Sequence, residues 1–235
     1  MTGVQTCALP IYVNNKRYDS GLVVSDKIKK MSKVSEFYNE MVDRFGADDM
    51  TDNRLSLENK QKMVSVLERV NEVIPNFPVS KIQIGDTSGF GGGDKKFLAL
   101  TLNSINTVVF EERYFDFGNS KELISTLTES IDNKNHPPGS ANFESVFIHE
   151  LGHVLENTLE TSDSDEVLDT HIKFVDSYDK KHAVSRYALA SDSEFFAETF
   201  VCAILPNDAT KDNVNVKNMR VFLNKISKKT GGKLL

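Results

Sequence analysis

Two histidines four residues apart, His149 and His153, enclose Glu150 within the run SVFIHELGHVLE at 145–156. Residues four apart lie on one face of an α-helix, about 6 Å from each other, so two imidazoles at this spacing can converge on one metal ion. Zinc is the metal expected at an H-E-x-x-H pattern, one ion per chain. Glu150 projects beside it, where a general base for the attack of water belongs. A random ordering of this composition would produce the pattern about 0.007 times, so accident does not explain it. Solvated histidines on a surface helix would carry the same letters. However, Phe143, Phe147, Leu151 and Leu155 recur at spacing four, and that spacing predicts a helix packed into a core.

Two histidines do not hold a catalytic zinc; a third protein ligand is needed, with the fourth position open to water. In the H-E-x-x-H-x-x-G-x-x-H pattern it would be a histidine, but positions 156 and 159 are Glu156 and Leu159, so a carboxylate must serve. The candidates are Glu156, Glu160, Glu166, Glu194 and Glu198. Glu156 and Glu160 lie on or near the helix of the histidines and reach poorly across the metal. The run SDSEFFAETFVCAIL at 191–205 opens with a Ser-x-x-Glu capping pattern and continues as a helix with Glu194 and Glu198 on one face. One of these carboxylates can ligate zinc while the other, a turn away, accepts the N–H of a ligating imidazole. Phe195, Phe196, Ala197 and Phe200 leave little of this helix for water.

The combination of HELGH, a Tyr187-Ala188 turn and Glu194-Phe195-Phe196-Ala197-Glu198 resembles the catalytic domain of anthrax lethal factor and its relatives. Those relatives include peptidase domains of phage head-morphogenesis proteins and other mobile elements. The likeness covers about 81–226 and is most specific over 149–200. It implies a zincin-like metallopeptidase fold of the gluzincin type, in which Glu194 is the third zinc ligand. It also implies that Tyr187, seven residues earlier, steadies the transition state. The role of Glu198 as acceptor for a histidine N–H follows from spacing. The activity implied is that of a zinc-dependent endopeptidase acting on a protein or peptide substrate. A catalytically inactive peptidase-fold scaffold or binding module of a phage or mobile-element protein is the reading from another class, and it needs none of these residues together. Zinc-dependent hydrolysis of a non-peptide bond is a third. No substrate follows from the resemblance, because lethal factor relies on further domains for delivery and docking that this chain is too short to contain.

The elements that must position these residues are those of an α+β fold: a small mixed sheet packed on the active-site helix, with a helical C-terminal half. The first residues, MTGVQTCALPI at 1–11, read as the translation of a sequencing-library adapter and are set apart. The native N-terminus is then expected to be missing. Upstream domains and the compartment, secreted or associated with a phage or mobile element, stay open. An N-terminal helical segment spans 12–78, with an irregular lead-in at 12–25 and helices over 26–45 and 56–74. The peptidase-like domain spans 79–228. Strands are expected at 81–84, 97–102 and 107–110, and an extended substrate can add to the edge of such a sheet. The glycine-rich run TSGFGGGD at 87–94 reads as a flexible hairpin or flap. Helices follow over 120–131, from a cap at Ser140 or Asn142 to about 160, within 163–179, over 191–205 and over 214–226. The tail at 229–235 is expected to be flexible. His171 reads as a satisfied core histidine, His136 and His182 as loop histidines without a role, and Cys202 as a buried thiol.

Hydrophobic residues at 39% and charged ones at 26% describe a globular chain. The net charge of −6 and the lack of a basic block argue against a nucleic-acid or anionic-membrane partner. That acidic balance points instead to a basic peptide. No apolar run is long enough for a transmembrane helix.

Overall fold

The computed structural model describes residues 48–49, 55–88, 97–115 and 120–235. The run at 1–11, the lead-in at 12–25, the helix expected at 26–45 and most of the glycine-rich run lie outside the described residues. What is described is a mostly helical α+β chain with a small mixed sheet.

In chain order, β1 (Asp48–Asp49) is followed by α1 (Leu57–Val73), β2 (Lys81–Gly85), β3 (Ala99–Leu102) and β4 (Thr107–Glu111). A short helical turn, α2 (Glu112–Phe115), follows β4 directly. Then come α3 (Ser120–Asp132), α4 (Phe143–Glu160), α5 (Asp165–Asp176), α6 (Asp192–Ile204) and α7 (Val214–Thr230). The sheet order is β1-β2-β4-β3, with β2 parallel to β4 and β3 antiparallel to it. The central strand β4, TVVFE, is buried along its whole length, as the apolar run of a strand covered on both faces should be. β2 alternates buried Ile82 and Ile84 with half-buried neighbours. β3 lies at the sheet's edge among the described residues and packs against α4.

One hydrophobic core runs from α1 through the sheet and α4 to α7, taking in Met63, Leu67, Phe110, Phe147, Leu151, Phe196, Phe200 and Leu223. The described part of the N-terminal segment therefore shares one core with the rest of the described chain. Asn142, rather than Ser140, caps α4: its Oδ1 accepts the Ser145 N–H at 2.8 Å. The tail departs from expectation too. Gly231 ends α7 in the left-handed region, and Gly232 then lies so close to α1 that a Cβ there would sit 2.2 Å from the Val73 carbonyl oxygen. The Lys233 Nζ pairs with Glu72 at 2.6 Å, and the Leu235 N–H donates to Asn224 Oδ1 at 2.7 Å. The chain end is thus hydrogen-bonded onto α1 and α7, because two glycines let it turn back.

The contact that builds the site is that of α4 with α6. Gly152 makes it close: a Cβ there would lie 3.0 Å from the Ala197 Cα and 3.3 Å from the Phe200 ring. A small residue on each helix brings the two backbones together, so short glutamate side chains on α6 reach imidazoles on α4.

Candidate metal centre

On α4, His149 and His153 stand one turn apart with their Nε2 atoms 3.1 Å from each other. From α6, Glu194 brings its Oε2 to 3.2 Å from the His149 Nε2 and 3.7 Å from the His153 Nε2. Ligands bound tetrahedrally to zinc at about 2.0–2.1 Å stand about 3.3 Å from one another, which the three observed separations bracket. Among these atoms, the buried Glu194 Oε2 has no hydrogen-bond partner. Leaving a buried carboxylate oxygen so is costly, and a divalent cation between it and the two ring nitrogens removes the cost. The donor set, two imidazoles and a carboxylate, suits zinc.

The opposite ring nitrogens fix both tautomers. His149 Nδ1 donates to Glu198 Oε1 at 3.0 Å, and His153 Nδ1 donates to Ser193 Oγ at 3.0 Å. The Ser193 hydroxyl in turn donates to Glu156 Oε2. With Nδ1 protonated in each ring, both Nε2 lone pairs face the Glu194 oxygen, as ligation requires. Glu198 is 1% exposed and collects three donors: His149, His136 Nδ1 at 3.3 Å on the same oxygen, and the Ser185 hydroxyl at 2.7 Å on Oε2. Burial alone would raise its carboxyl, but the charge of His136 and the hydrogen bonds from both histidines outweigh that and bring it down to about 2. Burial likewise opposes ionisation of Glu194, but the neighbouring His149 and His153 hold it far below the usual carboxylate range. For His149, burial disfavours the charged form, yet the neighbouring carboxylates of Glu194 and Glu198 raise it well above its ordinary value. These groups together make a buried pocket that favours positive charge.

Glu150 is fully buried; its Oε2 accepts the Thr101 hydroxyl of β3 at 2.7 Å, while Oε1 is without a hydrogen-bond partner. Burial raises its carboxyl against the pull of His149 and His153. Half-buried Tyr187, in the short 3-10 turn Tyr187–Leu189 ahead of α6, donates its hydroxyl to Glu194 Oε1 at 2.7 Å and stacks on the His149 ring. His149, His153, Glu194, Glu150, Tyr187 and Glu198 are thus brought together. No protein-family model, curated protein or solved structure matches the chain. The site is read from its own geometry.

His136, expected to be a loop histidine without a role, is 3% exposed and bonded to Glu198. Its loop folds back onto α6, which nothing in the local run NKNHPPGS signals. Thr101, Ser185 and Ser193 also escape the sequence reading. Ser193 alone left a trace, as a hydroxyl next to Glu194 in the first turn of a helix. The capping pattern holds only in part: Ser191 Oγ accepts the Glu194 N–H at 3.1 Å, while the Glu194 carboxylate turns to the histidines instead of back to the cap. Glu166 is exposed and pairs with Lys229 at 2.9 Å, outside this cluster. His182 is exposed and bonds Asp179, and Cys202 is buried, as expected.

Replacing Glu198 by Gln should weaken zinc binding by about 10–100-fold, the usual cost of losing a partner behind a ligating histidine. It should also change stability with pH in a defined sense. A carboxyl lowered from 4.5 to about 2 on folding stabilises the folded chain above pH 4.5, and that contribution is lost as pH falls towards 2. Urea midpoints of chelator-treated wild type and variant should therefore differ most near neutrality and converge on acidification.

Proposed function

We propose that this chain is a zinc-dependent endopeptidase of the lethal-factor-like type, with a zincin-like arrangement of sheet and helices. The observation that carries the reading is the convergence of His149 Nε2, His153 Nε2 and Glu194 Oε2 at tetrahedral spacing beside a buried carboxylate with one oxygen unpartnered. His149, His153 and Glu194 would hold the ion. When bound, zinc supplies a Lewis acid that makes water acidic near neutral pH and polarises a carbonyl. Glu150 takes the proton of the attacking water on Oε1, its other oxygen being held by Thr101, and later delivers that proton to the leaving amine. The Tyr187 hydroxyl, on its way from Glu194 Oε1, donates to the charge that develops on the carbonyl oxygen.

The edge strand β3 carries Thr101, so an extended peptide pairing with that edge would lie alongside Glu150. A cleft walled by Lys134, Lys181, Arg186 and Leu189 shares His136 and Ser185 with the surroundings of Glu198. Local charge outweighs the acidic balance of the whole chain at short range, because screening confines surface charges to about 8–10 Å. This local charge favours an acidic peptide over the basic one suggested by composition. Zinc-loaded protein incubated with a peptide library should cut internal bonds, acidic sequences faster than basic ones, with mass spectrometry locating the products. A loaded, folded chain that cuts no peptide would favour the inactive scaffold.

Tyr187→Phe separates two roles of that hydroxyl. If it serves the developing oxyanion, kcat should fall by about 10²–10³ while zinc affinity changes less than tenfold. A parallel fall in zinc affinity would mean that it serves only to hold Glu194.

A further inference from the structure

Beyond His153, α4 carries a second group of metal-binding side chains. Glu156 and Glu160 lie at i and i+4 on α4 and face His171 of α5; one ligand atom from each lies within 4.8 Å of the others. His171 is 3% exposed, and its Nε2 has no hydrogen-bond partner. The nearest carboxylate oxygen, Glu156 Oε1, is 3.9 Å from it, beyond hydrogen-bond range. The ring is fixed in this direction, since Phe196 meets it edge-on at 5.7 Å and Phe222 lies at 6.5 Å. Glu156 is held as well: its Oε2 accepts the Ser193 hydroxyl, which leaves Oε1 turned towards His171. Among the described residues, no lysine or arginine pairs with Glu156 or Glu160. Their charge is felt nearby, because burial raises the Tyr178 hydroxyl and Glu156, Asp192 and Glu160 add to the effect.

We propose that Glu156, Glu160 and His171 form a second divalent-metal site, separate from the His149/His153/Glu194 centre. One imidazole with two carboxylates selects a first-row transition ion over calcium or magnesium, which take all-oxygen sets, and zinc is the ion to test. Drawing the ligands to the roughly 3.3 Å spacing of a tetrahedral site takes a rotamer change of the exposed Glu160 side chain and a shift of a few tenths of an ångström between His171 and Glu156, now 3.9 Å apart. Because Glu160 is exposed, water reaches the fourth position. The buried, fixed partners are His171 and Glu156, so the ion ties α5 to the end of α4. It also touches the first centre through a chain of hydrogen bonds, Glu156 to Ser193 to His153. An ion drawing on Glu156 would weaken its hold on Ser193 and so alter the basicity of His153.

The test is zinc stoichiometry and affinity by elemental analysis and calorimetry on the full chain. The near-isosteric double variant His149→Gln/Glu194→Gln, checked for folding by circular dichroism, removes the first centre. It should still bind one zinc and gain thermal stability from it. Adding Glu160→Gln, an exposed change that spares the core, should weaken that zinc by about tenfold or more, and adding His171→Gln should do the same. Wild type should bind two. A folded double variant that binds no zinc overturns the proposal, as does one whose zinc is indifferent to both Glu160→Gln and His171→Gln. No peptide turnover enters the measurement, so the result stands apart from the peptidase reading.

Discussion

Glu150→Gln should lower kcat by about 10²–10⁴-fold while leaving KM and zinc affinity close to wild type. The substitution conserves shape, and its amide oxygen still accepts the Thr101 hydroxyl that Glu150 Oε2 accepts at 2.7 Å. What changes is Oε1, the buried oxygen without a partner, which becomes unable to take a proton. Burial raises the Glu150 carboxyl above its ordinary range, so the wild-type group is a stronger base than a solvated glutamate and the loss is correspondingly larger. The measurement is steady-state cleavage of a peptide found with wild type, together with zinc content of the same preparations. Residual turnover within tenfold of wild type would remove Glu150 from the chemistry. A fall in zinc content instead of kcat would make it part of the metal's support.

The helix α4 was the most legible part of the fold. Apolar residues at spacing four, an H-E-x-x-H pattern and an asparagine cap agree on one answer, and local agreement of this kind is what makes an element readable. The pair Glu194 and Glu198 was legible for a different reason: two acids inside an apolar helix demand partners, since unpaired burial is costly. Spacing alone did not divide their roles. The three-dimensional arrangement does, because Glu194 approaches the Nε2 side of both imidazoles while Glu198, deeper and 1% exposed, meets His149 at Nδ1. His136 was illegible. Its loop is polar, and its burial comes wholly from the return of that loop onto α6, a long-range contact with no local pattern. The same holds for the tail, whose basic, glycine-containing run turns back to be pinned by Glu72 of the distant α1 as well as by Asn224 of α7. Gly152 carried a signal that is plain only once Ala197 is seen opposite it.

Glu194→Ala should weaken zinc binding by more than about a hundredfold, beyond the 10–100-fold that loss of an outer partner such as Glu198 brings. Three consequences of the deletion act in one direction. The ion loses one of three protein ligands, the two histidine Nε2 atoms 3.1 Å apart lose the negative charge between them, and the Tyr187 hydroxyl loses its acceptor. Glu166→Ala is the fitting control, being the same substitution at another of the five carboxylates that the sequence offers. Glu166 is exposed, and its pair with Lys229 is a surface salt bridge of about 0–1 kcal/mol, so zinc affinity should stay within twofold and stability should barely move. Competition titration with a chromophoric chelator gives both affinities on one scale. Equal losses in the two variants would show that the ion is not held at Glu194, and a loss larger in Glu198→Gln than in Glu194→Ala would exchange the roles assigned to the two acids. The ordering Glu194, Glu198, Glu166 follows from geometry alone: a ligand oxygen, an oxygen one imidazole away, and an oxygen on the outer surface.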